Sequence, residues 1–154
     1  MFHSKLSLCA ALALFMVAGL FTTPAVAQDD SGDANPIAIA RRCIHHVTGH
    51  ADRCVRHNRT TAEAAVRVID ALQAQGLDRR ARAAADKAST DIRRTSNVCV
   101  REIRTDCRAC VAVLVRLGAD KLAREVADEC EDQIDRVRVS EAVALRKIRA
   151  ALDD

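Results

Sequence analysis

Apolar residues recur every three or four positions along most of the chain, a spacing typical of amphipathic helices. The first apolar stripe follows Asn35 and Pro36, which are typical of a helix start with asparagine at the N-cap and proline at the first helical position. The stripe consists of Ile37, Ala40, Ile44, Val47, Ala51 and Cys54. It predicts a long first helix that begins at Pro36.

The pattern leaves open whether this helix continues past Thr60. Thr60 with Glu63 three residues later is typical of a capping box, which would begin a new helix, and the segment from Asn58 to Thr60 also matches an N-glycosylation sequon. The apolar stripe nevertheless continues almost in phase through Thr61, Ala65, Val68 and Leu72. A continuous helix to Gln75 and a helix broken near Thr60 are therefore both compatible with the sequence.

Two short segments, Gly76 to Asp78 and Gly118 to Asp120, are typical of helix–helix turns. In each, glycine follows a helix end and aspartate two residues later is expected to be the next N-cap. Further apolar stripes lie between and after these turns, over residues 79–117 and 121–152. The sequence therefore predicts an all-α fold, a long antiparallel up-down-up bundle of three helices, or of four if the first breaks near Thr60.

The two turns also belong to an internal repeat. Gly76 and Gly118 are 42 positions apart, and neighbouring residues match at the same offset. The matched pairs are Leu72 and Leu114, Asp78 and Asp120, Ala81 and Ala123, Ala85 and Ala127, and Ile92 and Ile134. We interpret residues 36–154 as a single helical-bundle domain with a 42-residue repeat.

The first 35 residues have a different composition. A short basic start, an apolar run over residues 6–21 and a small-x-small site at Ala25-Val26-Ala27 predict a signal peptide over residues 1–27. Residues 28–35 are acidic with nothing to bury, and we expect a disordered leader there. The sequence thus predicts an exported protein, periplasmic or extracellular, with no membrane span in the mature chain.

In an exported protein the cysteines are expected to form disulfides. Six of the seven follow residue 27, and an even number in an oxidising compartment favours disulfides over free thiols. Phe, Tyr, Trp and Met are all absent after residue 27, so the core has only Ala, Val, Leu, Ile and Cys available. Such small side chains favour closely packed helices that gain from covalent cross-links.

The turns predict how the cysteines pair, since facing residues of a helical hairpin lie equally far from its turn. Cys43 and Cys110 are equidistant from the turn at Gly76, and so are Cys54 and Cys99. Around the turn at Gly118 the equidistant pair is Cys107 and Cys130. We therefore predict the disulfides Cys43–Cys110, Cys54–Cys99 and Cys107–Cys130.

The histidines after residue 27 are clustered between positions 45 and 57. On a continuous helix, His46, His50 and His57 lie within an arc of about 80° that also contains Cys43 and Cys54. His46 and His50 are four residues apart, a spacing that can bind Zn²⁺, Cu²⁺ or Ni²⁺ with two imidazoles. No Asp or Glu lies on that arc. His57 reaches the same ion only if the helix breaks near Asn58.

The remaining signals exclude several function classes. No catalytic motif is present, so we expect no enzyme activity. Residues 41–108 are rich in arginine, but the absence of aromatic side chains argues against nucleic-acid binding. We expect that arginine to pair with the acidic run of the last helix, Arg108 with Glu129, and Arg101 and Arg104 with Asp135 and Asp132. The sequence favours an exported structural or interaction module that binds an unknown protein or itself. The alternative is a transition-metal-binding protein that uses the histidines.

Overall fold

The computed structural model describes residues 35–153, which form three helices and no strand. The helices are α1 (Pro36–Gln73), α2 (Asp78–Arg116) and α3 (Asp120–Asp153), each about 50–60 Å long at the rise of an α-helix. Each packs against the other two. The all-α up-down-up prediction is confirmed in its three-helix form. The predicted signal peptide and all but the last residue of the acidic leader lie outside the described residues.

Helix α1 begins as predicted and runs without a break. The Asn35 side chain accepts hydrogen bonds from the backbone N–H groups of Ile37 and Ala38, at 3.0 and 3.4 Å. The break near Thr60 does not occur. The Thr60 hydroxyl donates to the carbonyls of Arg56 and His57 in the preceding turn. Its hydrogen bonds are therefore those of a residue inside a helix, and it does not cap the start of a new helix. The four-helix alternative is therefore wrong.

The two helix–helix turns have the same geometry. Gly76 and Gly118 have φ angles of 69° and 70°, a left-handed conformation in which glycine carries no Cβ penalty. In each turn the residue after glycine donates a 2.9 Å hydrogen bond to a leucine carbonyl, Leu72 or Leu114, as in a Schellman motif. The predicted aspartate N-caps are displaced by one position. Asp78 and Asp120 are the first helical residues, where a carboxylate still interacts favourably with the helix dipole.

The core consists of two apolar clusters, one in each half of the bundle. We call the half containing all the disulfides the cystine half; its buried residues include Val47, Ala51, Ile103, Leu114, Val126 and Val137. The other, the alanine half, is built from Ala62, Ala65, Ile69, Ala81, Ala85, Ile92, Ala144, Ile148 and Ala151. The aromatic-free composition thus produces a narrow core in which helices approach closely over alanines.

A polar layer separates the two halves. Asn58 is fully buried, and its amide nitrogen donates to the hydroxyls of Ser96 on α2 and Ser140 on α3, at 3.0 and 3.4 Å. The Ser96 hydroxyl is 3.3 Å from the Asn58 carbonyl oxygen. One polar residue from each helix therefore contributes to a single hydrogen-bonded layer. The burial of Asn58 also makes the sequon inaccessible in the folded protein.

Three disulfides join the cysteines in the pairs predicted from the turns. Cys43–Cys110 and Cys54–Cys99 connect α1 to α2 with Cα separations of 6.2 and 6.5 Å, and Cys107–Cys130 connects α2 to α3 with 6.3 Å. These distances are within the range for disulfides. Three such bonds indicate an oxidising environment, as exported proteins have. Among the described residues, no helix contains a stretch apolar enough to span a membrane.

The ion pairs between helices differ from those expected. Within residues 35–153, Arg101, Arg104 and Arg108 form no ion pair with the acidic run of α3. Instead Arg136 of α3 lies 2.8 Å from Asp52 of α1. Equal distance from a turn places these arginines at the right level along α2, but all three side chains are exposed to solvent. Arg104 and Arg108 line a groove between α2 and α3 without reaching ion-pair distance of its acidic residues.

Candidate metal centre

The two disulfides between α1 and α2 define a short, fixed section of that helix pair. Cys43–Cys110 closes one end and Cys54–Cys99 the other. His46 and His50 lie on α1 between the two bridges, and Asp106 and Glu102 lie on α2 between the same bridges. The relative position of these four side chains therefore rests on helices that are covalently joined on both sides.

Three of these side chains converge. The Nε2 atom of His46 is 3.2 Å from Oδ2 of Asp106, and Nδ1 of His50 is 3.9 Å from the same oxygen. One ligand atom from each residue lies within 4.8 Å of the other two. Ligands of a tetrahedral zinc ion, bound at about 2.0–2.1 Å, are about 3.4 Å apart. The distances of 3.2 and 3.9 Å from Asp106 to the two histidines are thus near the spacing that a bound ion would require.

Glu102 completes the arrangement from the other side of His50. Its Oε2 atom lies 2.9 Å from His50 Nε2, while His50 Nδ1 faces Asp106. Metal-binding histidines commonly donate their second ring N–H to a carboxylate, which fixes the tautomer and orients the ring. Glu102 lies within ion-pair distance of His50 Nε2, while Nδ1 is the ring nitrogen that lies 3.9 Å from Asp106.

Burial and charge also suit a cation. The His50 side chain is 16% exposed, Asp106 is 36% exposed and His46 is 63% exposed, so the site opens to solvent on the His46 side. Two neutral imidazoles and two carboxylates carry a formal charge of −2, which balances a divalent ion. The open side leaves room for water to complete the coordination.

His57 does not belong to this cluster. Because α1 is continuous, His57 lies about 10 Å further along the helix than His50. Its Nε2 atom lies 3.2 Å from Asp91, a carboxylate that also pairs with Arg94 at 3.0 Å, and 3.4 Å from the Thr61 hydroxyl. The candidate three-histidine site is therefore replaced by His46, His50 and Asp106.

The sequence prediction lacks the two carboxylates because they lie on α2, whereas the histidine spacing concerns one face of α1 alone. The necessary signal was nonetheless present in the sequence. Asp106 and Glu102 lie nearly as far after the turn at Gly76 as His46 and His50 lie before it. The rule that pairs the cysteines also places these residues opposite the histidines. A search for ligands across the hairpin would have found them.

Comparison with known proteins adds no further constraint on this site. No protein-family model, curated protein or solved structure matches the chain. The functional interpretation therefore rests on the geometry alone.

Proposed function

We propose that this protein is an exported helical module that binds one divalent transition-metal ion through His46, His50 and Asp106. The observation that carries the proposal is the convergence of the three donors between two disulfides. Imidazole nitrogen and carboxylate oxygen together suit Zn²⁺, Cu²⁺ and Ni²⁺. Glu102 is the residue that positions His50.

The expected role is reversible binding rather than support of the fold. Disulfides and apolar packing already hold α1 against α2, so the helices do not require an ion between them. Three protein donors with an open side leave coordination positions for water or for a group from another molecule. We therefore expect a non-catalytic protein that takes up and releases metal in the periplasm or outside the cell.

Calorimetric titration of the oxidised mature protein with Zn²⁺, Cu²⁺ and Ni²⁺ tests this function. We expect one saturable site for at least one of these ions. Removing both imidazoles (His46→Ala/His50→Ala) should abolish the site, and Asp106→Asn should weaken it at least tenfold. His45→Ala is the matched control, because His45 is an exposed neighbour on α1 outside the cluster. Equal binding by the double variant and the control would contradict the proposal.

A second candidate is a metal-free structural or interaction module that binds an unknown protein partner or itself. It is favoured by the ion-pair distances, because His46–Asp106, His50–Glu102 and His57–Asp91 all join α1 directly to α2. This candidate predicts no saturable metal binding. It also predicts that His46→Ala/His50→Ala lowers the free energy of unfolding in metal-free buffer, whereas the metal-binding function predicts its main effect with metal present.

A further inference from the structure

His50 lies next to a second set of donor atoms. One nitrogen of His50 and the sulfur atoms of Cys54 and Cys99 lie within 4.8 Å of one another. Cys54 is one helical turn after His50 on α1, and Cys99 is opposite on α2. In the oxidised protein these two sulfurs form the disulfide at this end of the section that contains the candidate metal centre.

We propose that reduction of Cys54–Cys99 converts this disulfide into a zinc site formed by Cys54, Cys99 and His50. Disulfide and metal ion would then be alternative cross-links between α1 and α2 at one position. His50 is a ligand in both proposed sites. The inference still does not rest on the proposed function, because Cys54 and Cys99 are not ligands of the oxidised site and His46 and Asp106 are not ligands of this one.

The geometry requires little rearrangement. Two thiolates on a tetrahedral zinc ion, each bound at about 2.3 Å, have sulfur atoms about 3.8 Å apart. Opening the bridge allows this separation by small rotations about the Cα–Cβ bonds, since the Cα atoms are already 6.5 Å apart. The His50 nitrogen is close enough to become the third ligand, and water can occupy the fourth position.

The burial of the ligands favours zinc bound by thiolate. Cys54 and Cys99 are 4% and 5% exposed, and both belong to the apolar core of the cystine half. Two thiolates neutralise Zn²⁺, so the assembled site places no net charge there. Without metal the reduced pair is buried as two neutral thiols. Zinc binding replaces them with two Zn–S bonds and adds no net buried charge.

The chemistry balances with a dithiol as reductant. Reduction transfers two electrons and two protons from the dithiol to the bridge, which gives two thiols on this chain and one disulfide on the reductant. Zinc binding releases the two thiol protons to solvent. In the reverse direction an oxidising disulfide accepts the two electrons and takes two protons from solvent to become two thiols, while the Cys54–Cys99 bond re-forms and Zn²⁺ leaves.

The test uses the full mature chain reduced with a phosphine, with Co²⁺ as a spectroscopic substitute for zinc. We expect thiolate-to-cobalt charge-transfer absorption in the wild-type protein. It should be lost in Cys54→Ser/Cys99→Ser and weakened at least tenfold in affinity in His50→Ala. It should persist in His46→Ala and Asp106→Asn, which impair the oxidised site only. The matched control for the remaining cysteines is Cys43→Ser/Cys110→Ser, which should keep the absorption.

A second measurement remains informative if the reduced chain loses part of its fold. The reduced protein is alkylated with and without Zn²⁺, and the label at each cysteine is measured by mass spectrometry. We expect zinc to protect Cys54 and Cys99 and to leave Cys43, Cys107, Cys110 and Cys130 reactive. Uniform protection, protection of another pair, or no protection would overturn the proposal. So would charge-transfer absorption that survives in Cys54→Ser/Cys99→Ser.

Discussion

The ends of the helices are held in different ways in the two halves of the bundle. In the cystine half the free N-terminal end of α1 is fixed to α2 by disulfides, and the turn at Gly118 joins α2 to α3. In the alanine half the turn at Gly76 joins α1 to α2, and within the described residues the C-terminal end of α3 is held by apolar packing without a disulfide. The packed residues of α3 are Ala144, Leu145, Ile148, Ala151 and Leu152. The disulfides are therefore concentrated in the half that contains the candidate metal centre.

The surface of the alanine half shows the consequence of small side chains. A wide, open groove lies between α1 and α2, lined by alanines such as Ala64, Ala65, Ala84 and Ala88 together with Val68, which is 48% exposed. Alanine permits close helices but fills little of the space between them. The candidate metal centre lies in the other half, where two disulfides fix the distance between α1 and α2.

The largest expected effect comes from removing the main apolar anchor of the free end. Ile148 is 2% exposed, and Ile148→Ala should lower the free energy of unfolding by about 2–5 kcal/mol. Ile103→Ala is the matched substitution in the cystine half, at a residue that is fully buried. Urea denaturation followed by circular dichroism measures both losses.

The two variants should differ in how they unfold. In Ile148→Ala, amide hydrogen exchange should accelerate over the last turns of α3 well before global unfolding, because no covalent bond retains that end. In Ile103→Ala the disulfides should preserve a single cooperative transition. Equal acceleration of exchange in both halves would contradict the distinction between them.

Removing the outermost disulfide should have the next largest effect. Cys43→Ala/Cys110→Ala opens a loop of sequence separation 67 and should lower the free energy of unfolding by about 2–4 kcal/mol. We expect the lower part of that range, because Cys54–Cys99 still restrains most of the loop in the unfolded chain. Exchange should accelerate in the first turns of α1 and remain unchanged in the alanine half. Faster exchange confined to the alanine half would be the opposite result.

Much of this architecture could be predicted because the turns define which residues face each other. Gly76 and Gly118 determine the disulfide partners of Cys43, Cys54 and Cys107 without any knowledge of side-chain packing. The interruption at Asn58 could not be resolved in the same way. A polar residue in an apolar stripe indicates either a break or a buried hydrogen-bond layer, and the difference depends on Ser96 and Ser140 from two other helices.

The candidate metal centre was only partly predictable for a related reason. His46 and His50 are recognised from local spacing on one helix, whereas Asp106 and Glu102 are 60 and 52 positions further along the chain. Ligands on a second helix can be predicted only when the two helices of the hairpin are considered together. The contact of 2.9 Å between His50 Nε2 and Glu102 is likewise not specified by any sequence spacing.

The polar layer between the halves offers a smaller and more specific test. Asn58→Ala leaves the buried Ser96 hydroxyl without its partner, and the free energy of unfolding should fall by about 1–3 kcal/mol. The matched variant Asn58→Val/Ser96→Ala/Ser140→Ala removes the whole layer. It should recover most of that loss, because no polar group then remains unpaired. If the triple variant lost more free energy of unfolding than Asn58→Ala, the hydrogen bonds of the layer would themselves stabilise the fold, beyond pairing polar groups that are buried.

The smallest expected effect is the stabilisation of the folded protein by a bound metal ion. A ligand that binds only the folded protein at ten times its dissociation constant stabilises it by about 1.4 kcal/mol. We expect this increase for the oxidised protein with Zn²⁺, measured by urea denaturation, and none for His46→Ala/His50→Ala. Under native conditions the added protection against hydrogen exchange should be confined to α1 and α2 between the two disulfides, because the ion contacts only those segments. Stabilisation of the double variant by the same amount, or protection centred on the alanine half, would place the bound ion elsewhere.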